Sequence, residues 1–181
     1  MIDIRLIEEC RSGNLNNFRK VVEASTPLAF SVAFRMLGDE DLAKDVVQEA
    51  MITIWQKIGS IKSPEVYKTW LYRVVINKCY DEMRRKKRNP EYSQDDASWA
   101  RLGERIEDNA QGGLNNDEIA VIITGLTESL SPKQKAAFIL SDIEEMTSDE
   151  VVKITGMNKL TLKANLYYAR RSIKAKLQKY L

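Results

Sequence analysis

Apolar residues recur along this chain every three or four positions, and nowhere do they alternate long enough for a strand, which restricts the fold to packed helices. Between Asp41 and Ile58, the residues Leu42, Ala43, Val46, Val47, Ala50, Met51, Ile54, Trp55 and Ile58 hold that spacing, predicting one helix with a broad buried face. Helices are likewise predicted over 4–12, 15–37 and 65–87, with Pro27 a kink or break in the second. The period is then lost. Residues 89–116 are polar and acidic, with Gly103, Gly112 and Gly113, and read as a flexible linker with at most a short helix at 97–106.

Helical signals return over 118–127 and from Ser131-Pro132 to 143. Thr147-Ser148-Asp149-Glu150 is a capping box opening a helix over 148–155. Gly156 stops it, and a last helix is predicted over 159–179. The expected architecture is all-α: two helical domains, 1–88 and 117–181, joined by the flexible acidic linker 89–116.

Charge is distributed unevenly along this layout. The formal net charge of +2 conceals a stretch, 151–181, with eight Lys and Arg and no acid, and another, 89–118, with eight acids and two bases. That asymmetry points to a polyanionic partner. The chain has no histidine, so the commonest general base and zinc ligand is missing. Cys10 and Cys79 form no CxxC pair and fall at helical apolar positions, as buried reduced thiols would. No glycine-rich phosphate loop is present, and no catalytic residue, metal or cofactor is expected. There is no apolar run of ~18 residues and no signal-peptide core near Met1, so a cytoplasmic protein without membrane insertion is expected.

Three constellations carry chemistry. The capped helix, the turn Gly156-Met157-Asn158 and the basic last helix have the grammar of a helix-turn-helix. Leu162, Leu166, Ala169, Ile173 and Leu177 should face inward, turning Thr161, Lys163, Ala164, Asn165 and Tyr168 toward base edges. Arg170, Arg171, Lys174, Lys176 and Lys179 suit phosphates. On the fourth helix, Trp70, Arg73, Asn77 and Arg84 form one stripe, followed by Arg84-Arg85-Lys86-Lys87-Arg88, beside a buried stripe of Leu71, Val75, Cys79 and Met83. An aromatic, a cation and an amide in line suit an unpaired nucleic-acid strand, although Trp70 as a core residue and the run as a solvated helix end fit the spacing equally. Asp41, Asp45, Gln48 and Glu49 gather on the outer face of the third helix, either as a solvated face or as a surface for a basic protein.

At these three places the sequence resembles the extracytoplasmic-function sigma factors, promoter-specificity subunits of bacterial RNA polymerase. Asp45-Val46-Val47-Gln48-Glu49-Ala50 looks like the family's polymerase-docking motif. Thr69-Trp70-Leu71-Tyr72-Arg73-Val74-Val75-Ile76-Asn77 looks like its promoter-melting segment. Leu130-Ser131-Pro132 through Leu177 looks like its conserved region four. The resemblance implies a non-catalytic initiation factor whose partners are core RNA polymerase, at the beta-prime clamp helices and the beta flap, and promoter DNA, both duplex and melted non-template strand. Many members are held by an anti-sigma factor.

By resemblance, Asp41, Asp45, Gln48 and Glu49 belong to the polymerase-binding surface, and Trp70, Arg73 and Asn77 to the contact with the melted minus-ten element. The loop Gly59 to Tyr67, with Lys62 and Tyr67, stands where the family captures a flipped base. The last helix, with Thr161, Lys163, Asn165, Tyr168 and Arg171, stands where it reads the minus-thirty-five element. Two departures are visible. Leu160-Thr161-Leu162-Lys163-Ala164-Asn165 replaces the common Gly-Thr-Val-Lys-Ser-Arg; asparagine pairs naturally with adenine and arginine with guanine, so the minus-thirty-five preference is expected to differ from the common one. Glu144-Glu145-Met146 replaces the frequent Glu-Gly-Leu. A stand-alone helix-turn-helix regulator with a helical sensor domain is the alternative, and a protein-binding helical adaptor a further one.

Overall fold

The computed structural model describes residues 4–11, 15–61, 63, 66–88 and 116–178. Among these are eight helices: α1 (Ile4–Arg11), α2 (Leu15–Leu37), α3 (Glu40–Lys57), α4 (Tyr67–Arg88), α5 (Asn116–Thr127), α6 (Pro132–Phe138), α7 (Ser148–Thr155) and α8 (Lys159–Leu177). The described residues contain no strand. The first four helices form one bundle in which α2 packs on α1, α3 and α4, and the last four form a second around α6 and α8. The helix anticipated at 97–106 lies outside the described residues.

Local chemistry sets the boundaries. α2 runs unbroken through Pro27, so the alternative of a break there does not occur. Pro27 is exposed, so the carbonyl that it leaves without an amide partner can meet water. Gly38 ends α2 in the left-handed region at φ 71°, its N–H donating to Phe34 O at 2.8 Å. Asp39 then caps α3, its side chain accepting from Leu42 N at 3.0 Å. The capping boxes Ser131–Gln134 and Thr147–Glu150 both form, opening α6 and α7. α6 passes into one π-turn over Ile139–Ile143, and the chain reverses at Glu145 with φ 52°.

The two bundles are packed together along a seam that the sequence did not announce. Buried residues of both belong to one hydrophobic cluster, from Ile7 to Leu162. α4 lies on α7, and α2 on α5. At the seam Glu144 accepts from Arg35 Nη1 at 2.6 Å and from the Tyr72 hydroxyl at 2.8 Å. Both charged side chains are largely buried, where an ion pair is poorly screened. Gly38 is a close approach as well: a Cβ there would fall 2.7 Å from Thr124 Cγ2 of α5.

Not every polar group in this region is matched. Arg35 Nε and the Tyr80 hydroxyl are buried without a hydrogen-bond partner among the described residues. Lys135 of α6 is only 5% exposed. Burial pushes its pKa down to about 8, more strongly than Glu128 and Cys79 push it up.

Two outcomes are expected. Glu145 holds a backbone conformation that glycine adopts without strain, so Glu145→Gly should raise unfolding free energy by about 1 kcal/mol in urea titration. For Lys135, the unfolded chain keeps a proton between pH 8 and 10.5 that the folded protein releases, so stability rises with pH over that window. Burial pushes Cys79 up to about 12, which acts in the opposite sense above pH 9 and confines the net rise to pH 8–9. Lys135→Met should abolish that rise and add up to about 3 kcal/mol at pH 7, read by denaturant titrations at pH 7, 8 and 9.

Candidate nucleic-acid interface

α4 presents its three sides to three different environments. Leu71, Val75 and Cys79 are buried as their spacing predicts, while Met83 is half-buried; Tyr72 and Ile76, outside the anticipated stripe, are buried too. Arg73 and Asn77 face solvent, and Trp70 is half-buried, its ring tilted against Tyr67 with centroids 6.2 Å apart. These three residues line a concavity with Thr53 and Lys57 of α3 and Val74 and Lys78 of α4, of about 310 Å³. That volume lies at the low end of ligand-sized pockets. Trp70 therefore combines the two roles its spacing left open: one part of the ring packs on Tyr67, and another lines an open, cation-flanked hollow.

Tyr67 is a correction. Its side chain is 2% exposed and its hydroxyl lies 2.9 Å from Ser25 Oγ, so it belongs to the first bundle's core and has no open face for a base. Burial pushes its pKa up to about 12. Lys62 lies outside the described residues.

The basic run is less available than its composition implied. Arg84 is paired with Asp81, Arg85 with Glu82 at 3.0 Å, and Lys86 with Asp39 at 3.7 Å. Lys87 and Arg88 make no ion pair among the described residues and project from the helix end, where cations suit the dipole.

Asp41, Asp45, Gln48 and Glu49 are all exposed on α3, as expected. Glu49 receives Lys78 at 2.9 Å, and Asp41 lies 4.0 Å from Lys44. Asp45 and Glu49 line a long charged groove between α3 and α4. On the other side of Gln48 is a groove lined by Phe18, Val22 and Phe30 of α2 with Val47, Met51, Ile52 and Trp55 of α3, of which Val47, Met51 and Trp55 belong to the face that the apolar spacing assigns to the core. Ile52 and Trp55 are exposed, and Trp55 rests on Phe18 with centroids 4.6 Å apart.

In the second bundle α7, the turn at Gly156 and α8 form the anticipated helix-turn-helix. Gly156 takes φ 71°, and Asn158 caps α8 by accepting from Thr161 N at 2.7 Å. Leu162, Ala169 and Ile173 are buried and Leu166 half-buried, whereas Leu177 is exposed. The solvent face is rotated from the expected one. Leu160, Lys163, Ala164, Tyr167, Tyr168 and Arg171 are exposed, while Thr161 and Asn165 are half-buried. Asn165 Nδ2 donates to Thr161 O at 2.8 Å and approaches Met157 Sδ at 3.7 Å. An amide paired with adenine must donate to N7 while accepting from N6. With its donor group turned inward, Asn165 cannot do so as placed. Arg170 is held by Asp142 at 2.8 Å, and Lys176 donates to Gly125 O at 3.2 Å.

Among the described residues no group of His, Cys, Asp and Glu could hold a metal ion, and no helix is long and apolar enough to cross a membrane.

Residues 21–89 match the family Sigma-70 region 2, and residues 120–173 the family Sigma-70, region 4, together more than half of the chain. The ECF RNA polymerase sigma factor SigW of Bacillus subtilis is 26% identical over 179 residues, covering 95% of both proteins. The ECF RNA polymerase sigma-E factor of Escherichia coli K12 is 25% identical over 98% of this chain and 95% of that protein. Among solved structures, CnrH in complex with the cytosolic domain of CnrY has a TM-score of 0.69 at 21% identity, covering 98% of this chain and 97% of that one. The sigma factor RpoE in complex with the anti-sigma factor NepR from Bartonella quintana has a TM-score of 0.67 at 20% identity, covering 91% and 98%.

Two sigma-70 regions in order along one helical chain define a promoter-specificity subunit of bacterial RNA polymerase. The chain belongs to the extracytoplasmic-function sigma factors. Membership accounts for both bundles, which the stand-alone regulator does not.

Ion pairing within α4 has a measurable consequence. The double variant Asp81→Asn/Glu82→Gln should free Arg84 and Arg85 for phosphates. In the polymerase-bound protein, single-stranded DNA affinity should rise and the plot of log K against log salt should steepen by about 0.7 per freed cation. An unchanged slope would remove the two arginines from the strand path.

Proposed function

We propose a residue-level division of labour for this sigma factor, with domain limits of 1–88 and 117–181 about the linker 89–116. The first domain docks on core polymerase through Asp41, Asp45, Gln48 and Glu49, facing the clamp helices of beta-prime, and the apolar groove beside Gln48 enlarges that surface. The same domain holds the opened non-template strand with Trp70, Arg73 and Asn77, while Lys87 and Arg88 track its phosphates. The second domain lies near the beta flap and inserts α8 into the major groove of the upstream element. An anti-sigma factor, the kind of partner that RpoE has in its complex with NepR, controls access to these surfaces. The site of action is the cytoplasm, where core polymerase and promoter DNA meet.

The observation that supports this reading is the order of features along the α3–α4 crevice. Asp45 and Glu49 line it toward the start of α3, and the Trp70–Arg73–Asn77 concavity sits toward its end. Docking and strand capture are therefore adjacent, so polymerase fixes the strand-binding face relative to its own active centre. A base stacked on an aromatic is worth ~1–3 kcal/mol, which offsets part of the cost of opening the duplex without nucleotide hydrolysis.

Reaching both promoter elements requires the seam to part. About 25 base pairs separate positions minus ten and minus thirty-five, roughly 85 Å of duplex at 3.4 Å per step, while a compact chain of this length is about 40 Å across. The closed arrangement cannot bridge them.

Pull-down on core polymerase, followed by permanganate footprinting, tests the division. Asp45→Lys/Glu49→Lys should abolish one-to-one binding to core polymerase. Trp70→Ala and Asn77→Ala should leave that binding within about threefold and cut strand opening at least tenfold. Loss of polymerase binding in Trp70→Ala or Asn77→Ala would refute the assignment.

A further inference from the structure

The most exposed large apolar side chain among the described residues is Leu160, at 81%. A single exposed leucine needs no explanation by itself. This one stands in the first turn of α8, where a recognition helix meets base edges, and it has company. Ala164 is one turn on, and Tyr167 and Tyr168, 60% and 55% exposed, extend the same side of the helix. Two of the polar residues near this tip are drawn aside. Asn165 has its amide donor turned to Thr161 O, and Lys159 is held by Asp149 at 2.7 Å. What remains at the leading tip is the aliphatic Leu160 beside the exposed Lys163, with Arg171 about three turns further along, on a segment, 151–181, with eight cations and no acid.

An apolar tip on a cationic helix fits one feature of duplex DNA. In the major groove, bases present hydrogen-bonding groups with a single apolar exception, the C5-methyl group of thymine. We infer that Leu160, with Ala164 behind it, reads thymine methyl groups in the upstream promoter element and is a specificity-determining residue of this sigma factor. The inference rests on the reading of α8 as the helix that enters the major groove. Lys163 and Arg171 supply phosphate affinity without sequence information, and Leu160 supplies the discrimination.

The probe is the upstream duplex that holoenzyme, assembled from the full chain and core polymerase, selects from a random library. Each thymine is then replaced singly by deoxyuridine, which removes the methyl group and alters no hydrogen-bonding group in the groove. One or two positions should lose about fourfold in affinity, the worth of one buried methyl-sized group. Leu160→Ala should bind the uracil and thymine forms of those positions equally, and Leu160→Met should retain the preference. Because Leu160 is exposed, both variants should melt as the parent does. A selected element without thymine, indifference to every deoxyuridine, or a preference that persists in Leu160→Ala overturns the inference while leaving α8 as the reader. Selection of no upstream sequence at all overturns the reading of α8 and this inference with it.

Discussion

The structure depends on how α4 divides its circumference. One side, Leu71 and Val75, completes the first bundle's core. The next, Tyr72 and Cys79, meets the second bundle, and the third leaves Arg73 and Asn77 in solvent. A helix apolar over two sides and polar over one can serve a core and a second packing surface at once. This concentration explains why one segment carries so much of the chain's information: each substitution on α4 falls on packing, on the seam or on strand contact, and few positions are neutral.

Much of this was legible in the residues. Helix existence, both capping boxes, the helix-turn-helix and the exposed acids of α3 follow from spacing and cap chemistry, which act within a few residues of chain. What escaped depends on contacts between distant segments. Tyr67 looks like a loop aromatic, but its hydroxyl meets Ser25, 42 positions away. Tyr72 and Ile76 looked surplus to one buried stripe because periodicity cannot say that a helix is covered from two directions. Helical spacing and the resemblance put Asn165 on the outward face, yet its amide donates to Thr161 O one turn back, a local bond that spacing cannot foresee. Glu145 was noted only as a departure from glycine, and the positive φ shows why glycine is favoured there.

The seam combines strong and weak elements. Shared apolar burial and the Arg35–Glu144–Tyr72 cluster favour contact, whereas burial of Arg35 Nε and of the Tyr80 hydroxyl without a partner among the described residues, and burial of the Lys135 ammonium, oppose it. A buried polar group without a partner costs about 1–3 kcal/mol, so Arg35 Nε and the Tyr80 hydroxyl offset part of what the apolar area contributes. Groups stranded in this way regain water when the bundles separate. The balance is that of an interface able to exchange one partner for another, in contrast to the fully matched interior of a domain.

The shared hydrophobic cluster also governs how the chain can be dissected. Severing it between residues 88 and 116 does not liberate two finished modules. The N-terminal piece would carry Tyr72 and Cys79 with their cover removed, and its counterpart the matching side of α6 and α7. Large uncovered apolar patches drive self-association. Poor solubility of either fragment would then reflect a lost intramolecular neighbour, with the fragment's own helices still capable of forming.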